Sequence, residues 1–140
     1  MKKFLFSFSI LILSLTLFSC NTTKEIPEGL SAAQLIQLGQ NEYAVGNYKQ
    51  AEHCYLEVIK KYGIDNAIYI EARYELGHLY LNSKKYKEAY NAYSEILSIY
   101  EDAFSGELPA AYKKLAQIGM DKIPENKKAE FAKSEPVSEE

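Results

Sequence analysis

Two cysteines, Cys20 and Cys54, and two histidines, His53 and His78, are the side chains of this 140-residue chain best suited to nucleophilic, acid–base or metal chemistry. Their spacing assembles none of it. Cys54 directly follows His53, and adjacent residues on a helix point about 100° apart, so the two share no ligand or proton-transfer geometry. Cys54 reads as a semi-buried thiol inside a helix. His53 falls on the predicted solvent side of that helix, and neither histidine has an evident carboxylate to orient it. Catalysis needs a nucleophile, base or metal converging in a pocket. The sequence carries no glycine-rich phosphate loop, no nucleophile elbow and no Cys/His ligand cluster. The expectation is a protein that is not an enzyme and uses no cofactor or metal.

Cys20 has a different context. Met1-Lys2-Lys3 is a basic start, and Phe4 to Phe18 is an uncharged apolar run broken only by Ser and Thr. That run has the length of a signal-peptide core and is short for a membrane span. It ends in Leu17-Phe18-Ser19-Cys20, which resembles a bacterial lipobox: an aliphatic residue three places before a lipidated Cys and a small residue just before it. Phe18, where a small residue is usual, departs from the pattern. The resemblance implies a signal peptide over 1–19, diacylglycerol on the Cys20 thiol and a further acyl chain on the new amino group. Each buried methylene is worth about 0.8 kcal/mol and one chain anchors only marginally, so several hold a protein at a membrane. Residues 20–30 then form a short polar tether. Asn21 is not the Asp that retains lipoproteins at the inner membrane in some bacteria, which points to the periplasmic side of the outer membrane. Loss of Lys2 and Lys3 lowers the basic count from 16 to 14 against 19 acidic residues, for a mature charge of -5. The acyl chains, not charge, must supply membrane affinity. With Cys20 blocked, Cys54 has no disulfide partner.

The elements that position everything else lie between 31 and 123. The chain is 47% apolar and 25% charged, which suits one globular domain, and a net charge of -3 advertises no nucleic-acid surface. All 12 tyrosines fall between Tyr43 and Tyr112, and many recur at one offset. Leu38-Gly39 returns as Leu76-Gly77, Tyr48 as Tyr86, Ala51 as Ala89, Tyr55 as Tyr93, Ile59 as Leu97 and Tyr62 as Tyr100, always 38 residues later. Ala51, Tyr55, Val58, Ile59 and Tyr62 form one helical stripe, and Ala89, Tyr93, Ile96, Leu97 and Tyr100 repeat it. Ser31 with Gln34 forms a capping box, Asp65 or Asn66 can cap, and Pro109 and Pro124 bracket a last helix. Five helices are expected, at about 31–45, 48–62, 66–82, 86–102 and 109–122. Residues 124–140, with three Lys, five Glu and two Pro, read as a disordered charged tail.

Leu-Gly, an aromatic soon after (Tyr43, Tyr80), an aromatic opening the next helix (Tyr48, Tyr86) and then Ala51 or Ala89 match, in order, the tetratricopeptide repeat. The chain resembles tetratricopeptide-repeat lipoproteins of the bacterial envelope of the BamD and YbgF type. Its period of 38 exceeds the usual figure of roughly 34, and the expected Pro after each second helix is missing. The resemblance implies an all-α, right-handed stack of antiparallel helical hairpins: two repeats plus a C-terminal capping helix that covers the open apolar end. Leu115-Ala116 would supply the Leu-small pair of that last helix.

Such folds usually bind through the inner face of the first helix of each pair. That places Ile36, Gln40 and Tyr43 on the first repeat, Tyr74, His78, Leu81 and Asn82 on the second, and Lys113, Gln117 and Met120 on the capping helix. Nine tyrosines are accounted for by packing. Tyr69, Tyr74 and Tyr90 are not, and Tyr74 beside His78 is the expected exposed anchor of a partner site. The Lys and Asn that clamp a peptide carboxylate are missing, because those places hold Ile36, Gln40, Tyr74 and His78. The expected function is a membrane-anchored protein–protein adaptor of the cell envelope, with outer-membrane protein assembly among its settings. The alternative is a small-ligand-binding lipoprotein that supports a solute transporter through a groove of Tyr43, Tyr74 and His78. A cell-wall or division scaffold is a third reading.

Overall fold

The computed structural model describes residues 23–102 and 108–133. Within them the chain is all-α, with six helices and no strand: α1 (Ala32–Ala44), α2 (Tyr48–Tyr62), α3 (Asn66–Asn82), α4 (Tyr86–Asp102), α5 (Ala110–Asp121) and α6 (Glu125–Ala132). The starts follow the expected chemistry. Ser31 Oγ accepts from Gln34 N–H (3.3 Å) while Gln34 Oε1 accepts from Ser31 N–H (2.9 Å), which satisfies two of the donors a helix start leaves open. Asp65 Oδ1 accepts from Ala67 and Ile68 N–H at the head of α3. Pro109 and Pro124 are the N-cap residues of α5 and α6. Among the described residues no helix is long and apolar enough to cross a membrane.

The repeat is written into the backbone. Between α1 and α2, Val45, Gly46 and Asn47 N–H donate to Asn41, Tyr43 and Glu42 C=O; between α3 and α4, Ser83, Lys84 and Lys85 N–H donate to Leu79, Leu81 and Tyr80 C=O. Donor and acceptor both shift by 38 places. The turn residue is left-handed in each case, φ +79° at Gly46 and +59° at Lys84.

Consecutive helices pack on one another from α1 to α5; α1 also touches α3, and α3 touches α5. The odd-numbered helices therefore lie side by side along one face. The core runs through Leu35, Ile36 and Val58, then Ala51, Tyr55, Leu76 and Leu79, then Ile70, Ala89, Tyr93, Ile96 and Ala116. Two tyrosines hold it together. A Cβ on Gly39 would meet the Tyr55 ring at 2.5 Å and one on Gly77 the Tyr93 ring at 2.7 Å; one on Gly119 would lie closer still to Tyr93. The missing side chains are what let these helices close on the rings.

Three expectations are corrected. Residues 23–30 are not a free tether. Gln50, 3% exposed, accepts from Lys24 N–H (2.7 Å) and donates to Lys24 C=O (3.0 Å). Ile26 and Leu30 lie on the first core cluster, and Tyr62 Oη donates to Leu30 C=O (2.6 Å). The segment straps the side of the first helix pair that no other helix covers among the described residues. The charged tail begins as helix α6 instead of disordered chain, since Phe131 finds a buried seat against Tyr90 (ring centroids 5.8 Å). In α5 the helix turns Ala116 and Gly119 to the core and leaves Leu115 36% exposed.

Candidate functional site

The face of α1, α3 and α5 carries a continuous run of polar and aromatic side chains. From α1, Gln40 Nε2 donates to Glu75 Oε1 on α3 (2.8 Å). The Tyr43 hydroxyl oxygen accepts from Asn82 Nδ2 (2.6 Å), and the Tyr43 ring lies 5.5 Å from that of His78. Asn82 Nδ2 also faces His78 Nε2 at 2.9 Å. Tyr74 stacks on His78 (6.3 Å, 9° between planes) and meets Tyr112 of α5 at 5.6 Å. The Glu71 carboxylate lies beside the Tyr112 hydroxyl. Burial and that charge push the Tyr112 pKa well above the ordinary tyrosine value. Burial likewise raises Tyr74, with Glu75 adding to it.

The structure brings Gln40, Tyr43, Tyr74, His78 and Asn82 together as expected from the repeat alignment. Ile36 does not belong with them: it is 4% exposed and packs with Leu35, Val58 and Ala72, so it is core. Leu81 and Met120 are partly buried against the core cluster of Ile70, Tyr93 and Ile96. Lys113 and Gln117 are exposed on α5, with Gln117 bonded to Asp121 of its own helix. Tyr74 is not the freely exposed anchor expected. It is half-buried, and its ring reaches the core ring of Tyr93 at 6.3 Å. The other two tyrosines left over by the packing argument also have partners, Tyr69 on Glu95 and Tyr90 on Phe131.

Sequence reasoning missed Glu71 and Glu75. A signal was available: 71, 75, 78 and 82 fall at i, i+4, i+7 and i+11, one stripe of α3. Tyr112 had been assigned to packing alone, and it serves both the core edge and this face.

His53, expected to face solvent, is half-buried. Its Nδ1 is enclosed without a partner among the described residues. With Glu25, Ile26, Glu28, Glu57 and Lys61 it lines an open cleft of about 380 Å³ between the strap and α2. Cys54 is fully buried, and its pKa is pushed up to about 11 by burial first and by Glu42 second, so it is a poor nucleophile. No group of three or more His, Cys, Asp or Glu among the described residues could hold a metal ion. Cys20 and the leader lie outside the described residues.

No family model matches the chain, and no solved structure matches it. An uncharacterized protein of Treponema pallidum (strain Nichols) is 33% identical over 110 residues, 76% of this chain. The chain spans 44% of the length of that relative.

Proposed function

We propose that this chain is a lipid-anchored adaptor of the bacterial cell envelope, built as a stack of two tetratricopeptide-type helical hairpins and a capping helix, which holds a protein partner on the face of α1, α3 and α5. The observation that carries the reading is the displacement of whole turn geometries by 38 residues, together with Gly39–Tyr55 and Gly77–Tyr93 closures at the same offset. Repeated hairpins of this kind leave their first helices side by side. Here that common face displays Gln40, Tyr43, Tyr74, His78 and Asn82, in which the tyrosines are of the kind that partner surfaces favour. The lipobox-like run ending at Cys20 supports export and acylation, with the outer membrane, periplasmic side, as the destination.

The small-ligand alternative requires a hollow between Tyr43, Tyr74 and His78. Their rings stand against one another and fill that space themselves, which favours a partner that lies across the face. The test pairs two variants of the full chain expressed in a bacterium. Cys20→Ser should leave an unprocessed precursor, unlabelled by a fatty-acid analogue. His78→Ala should keep labelling and membrane residence but lose a stoichiometric envelope protein recovered by cross-linking. A wild-type chain that never takes up label disproves the anchor. A partner retained at full yield by His78→Ala disproves the face.

A further inference from the structure

Among the described carboxylates, those that form ion pairs lie on other surfaces. Glu42 pairs with Lys24, Glu52 with Lys85, Glu57 with Lys60 and Lys61, Glu95 with Arg73, Glu130 with Lys127 and Glu125 with Lys128. Most of the remaining acids are exposed and water suffices for them. Glu71 and Glu75 differ. Both are half-buried on the common face, and neither has a cation within ion-pair distance among the described residues. Gln40, Tyr74 and Tyr112 stand beside them. Burial first, with the Glu75 carboxylate adding to it, raises the pKa of Tyr55, Tyr74, Tyr93 and Tyr112. Gln40 and Tyr112 hydrogen-bond these carboxylates, and a cation arriving on the face would add the charge partner that both lack.

We propose that the α1–α3–α5 face takes a basic polypeptide segment, whose Lys or Arg side chains pair with Glu71 and Glu75 and lie over the rings of Tyr74, Tyr112 and Tyr43. The proposal rests on the adaptor reading of this face and specifies the chemistry of the partner. Carboxylates one helical turn apart have Cβ atoms about 5–6 Å apart. Cations two places apart on an extended strand repeat at about 6.6–6.8 Å, so a Lys-x-Lys segment fits the spacing. Aromatic faces attract the same cations, and more strongly where water is partly excluded. The choice of an anionic face also separates this site from one built for an acidic tail or for a phosphate.

The test uses the full chain in mild detergent and an acetylated, amidated Gly-Ser-Lys-Ala-Lys-Ala-Lys-Ser-Gly peptide, read by fluorescence anisotropy. The wild type should bind it, and the same peptide with Glu for Lys should not bind. Glu71→Gln with Glu75→Gln keeps the shapes and the Gln40 hydrogen bond, and should weaken binding roughly tenfold or more without moving the melting temperature. Glu25→Gln with Glu28→Gln removes the same charge from the strap and should change binding less than twofold. Absent peptide binding, or equal loss from both double variants, overturns the proposal. If the Glu71/Glu75 variant still captures the envelope partner that His78→Ala loses, the basic-segment inference fails and the adaptor reading stands.

Discussion

The pair α1–α2 and the pair α3–α4 share their turn, their glycine–tyrosine contact and their Ala-Tyr stripe, yet they bury different things. At the place of Ile36 and Leu35, both core residues of the first pair, the second carries Tyr74 and Arg73. At the place of Gln40 it carries His78. Tyr55 and Tyr93 are equally buried, at 1% exposed, but Tyr55 closes on Leu76 and Leu79 of the next pair while Tyr93 closes on Gly119 of α5. The first pair spends its apolar positions on an internal core and a strap. The second sits between neighbours on both sides and can turn its α3 residues outward. Position in the stack, rather than the repeat motif, decides that α3 gives the common face more of its residues than α1 does.

The largest effect should come from high pH, which tests whether both tyrosine closures are needed. Burial raises Tyr55, Tyr80 and Tyr93 far above their ordinary value of 10.0, and Tyr69 is pushed up to about 12 by burial and Glu95. A raised folded-state pKa means the folded chain keeps protons the unfolded chain has released. That stability is complete below pH 10 and is lost as pH rises through the raised values. The melting temperature should fall steeply above pH 10, because these buried rings ionise only as the fold opens. A melting temperature that stays level above pH 10 would mean that these rings are accessible.

A smaller effect separates the two closures. Gly39→Ala and Gly119→Ala each force a methyl group into a tyrosine ring and should cost about 1–3 kcal/mol. Gly119→Ala should cost more, because Tyr93 is already held by Gly77 on its other side and cannot retreat. Thermal melting of the two variants ranks them; equal losses would show that the α5 contact is soft.

The strap gives the next contrast. Gln50→Ala leaves both backbone groups of Lys24 unpaired and should cost about 1–3 kcal/mol. Glu88→Ala, at the matching place of the second pair and exposed, should stay within about 0.5 kcal/mol. Denaturant midpoints decide between them, and a neutral Gln50→Ala would show that residues 23–30 add nothing to stability.

The smallest effect is at the turns. Lys84 holds a left-handed backbone that Gly46 holds without strain. Lys84→Gly should therefore gain about 0.5–1 kcal/mol, and Gly46→Ala should lose at least as much. A destabilised Lys84→Gly would mean that the lysine side chain matters more than its backbone.

Much of this was readable from residue spacing. The five expected helices appear within a residue or two because caps and breakers are local: Ser31 with Gln34, Asp65, Pro109 and Pro124 act on their own turns. The repeat alignment put Gln40, Tyr43, Tyr74, His78 and Asn82 on one face, but of the pairs 38 residues apart only Gln40 and His78 both reach it, since Ile36 is core and Leu81 is partly buried. What failed was tertiary. Ile36 lies on the right side of α1 but is covered by Val58 and Ala72, and no periodicity reports what lies across a gap. Phe131 looked isolated in a charged tail, and its seat against Tyr90 exists only once α4 is in place. Glu71 and Glu75 were missed because the fold alone assembles the aromatic surroundings that set them apart.

The fastening of Lys24 to Gln50 has a mechanical consequence. If Cys20 carries the acyl chains, only Asn21, Thr22 and Thr23 separate the bilayer anchor from the first residue clamped to the folded unit. Four extended residue steps reach at most about 14 Å. The helical unit would ride close against the lipid headgroups on a short leash, with little freedom to swing. A captured protein would be held at a nearly constant height above the bilayer, and only proteins whose basic segment itself comes down to the membrane surface would be within its grasp.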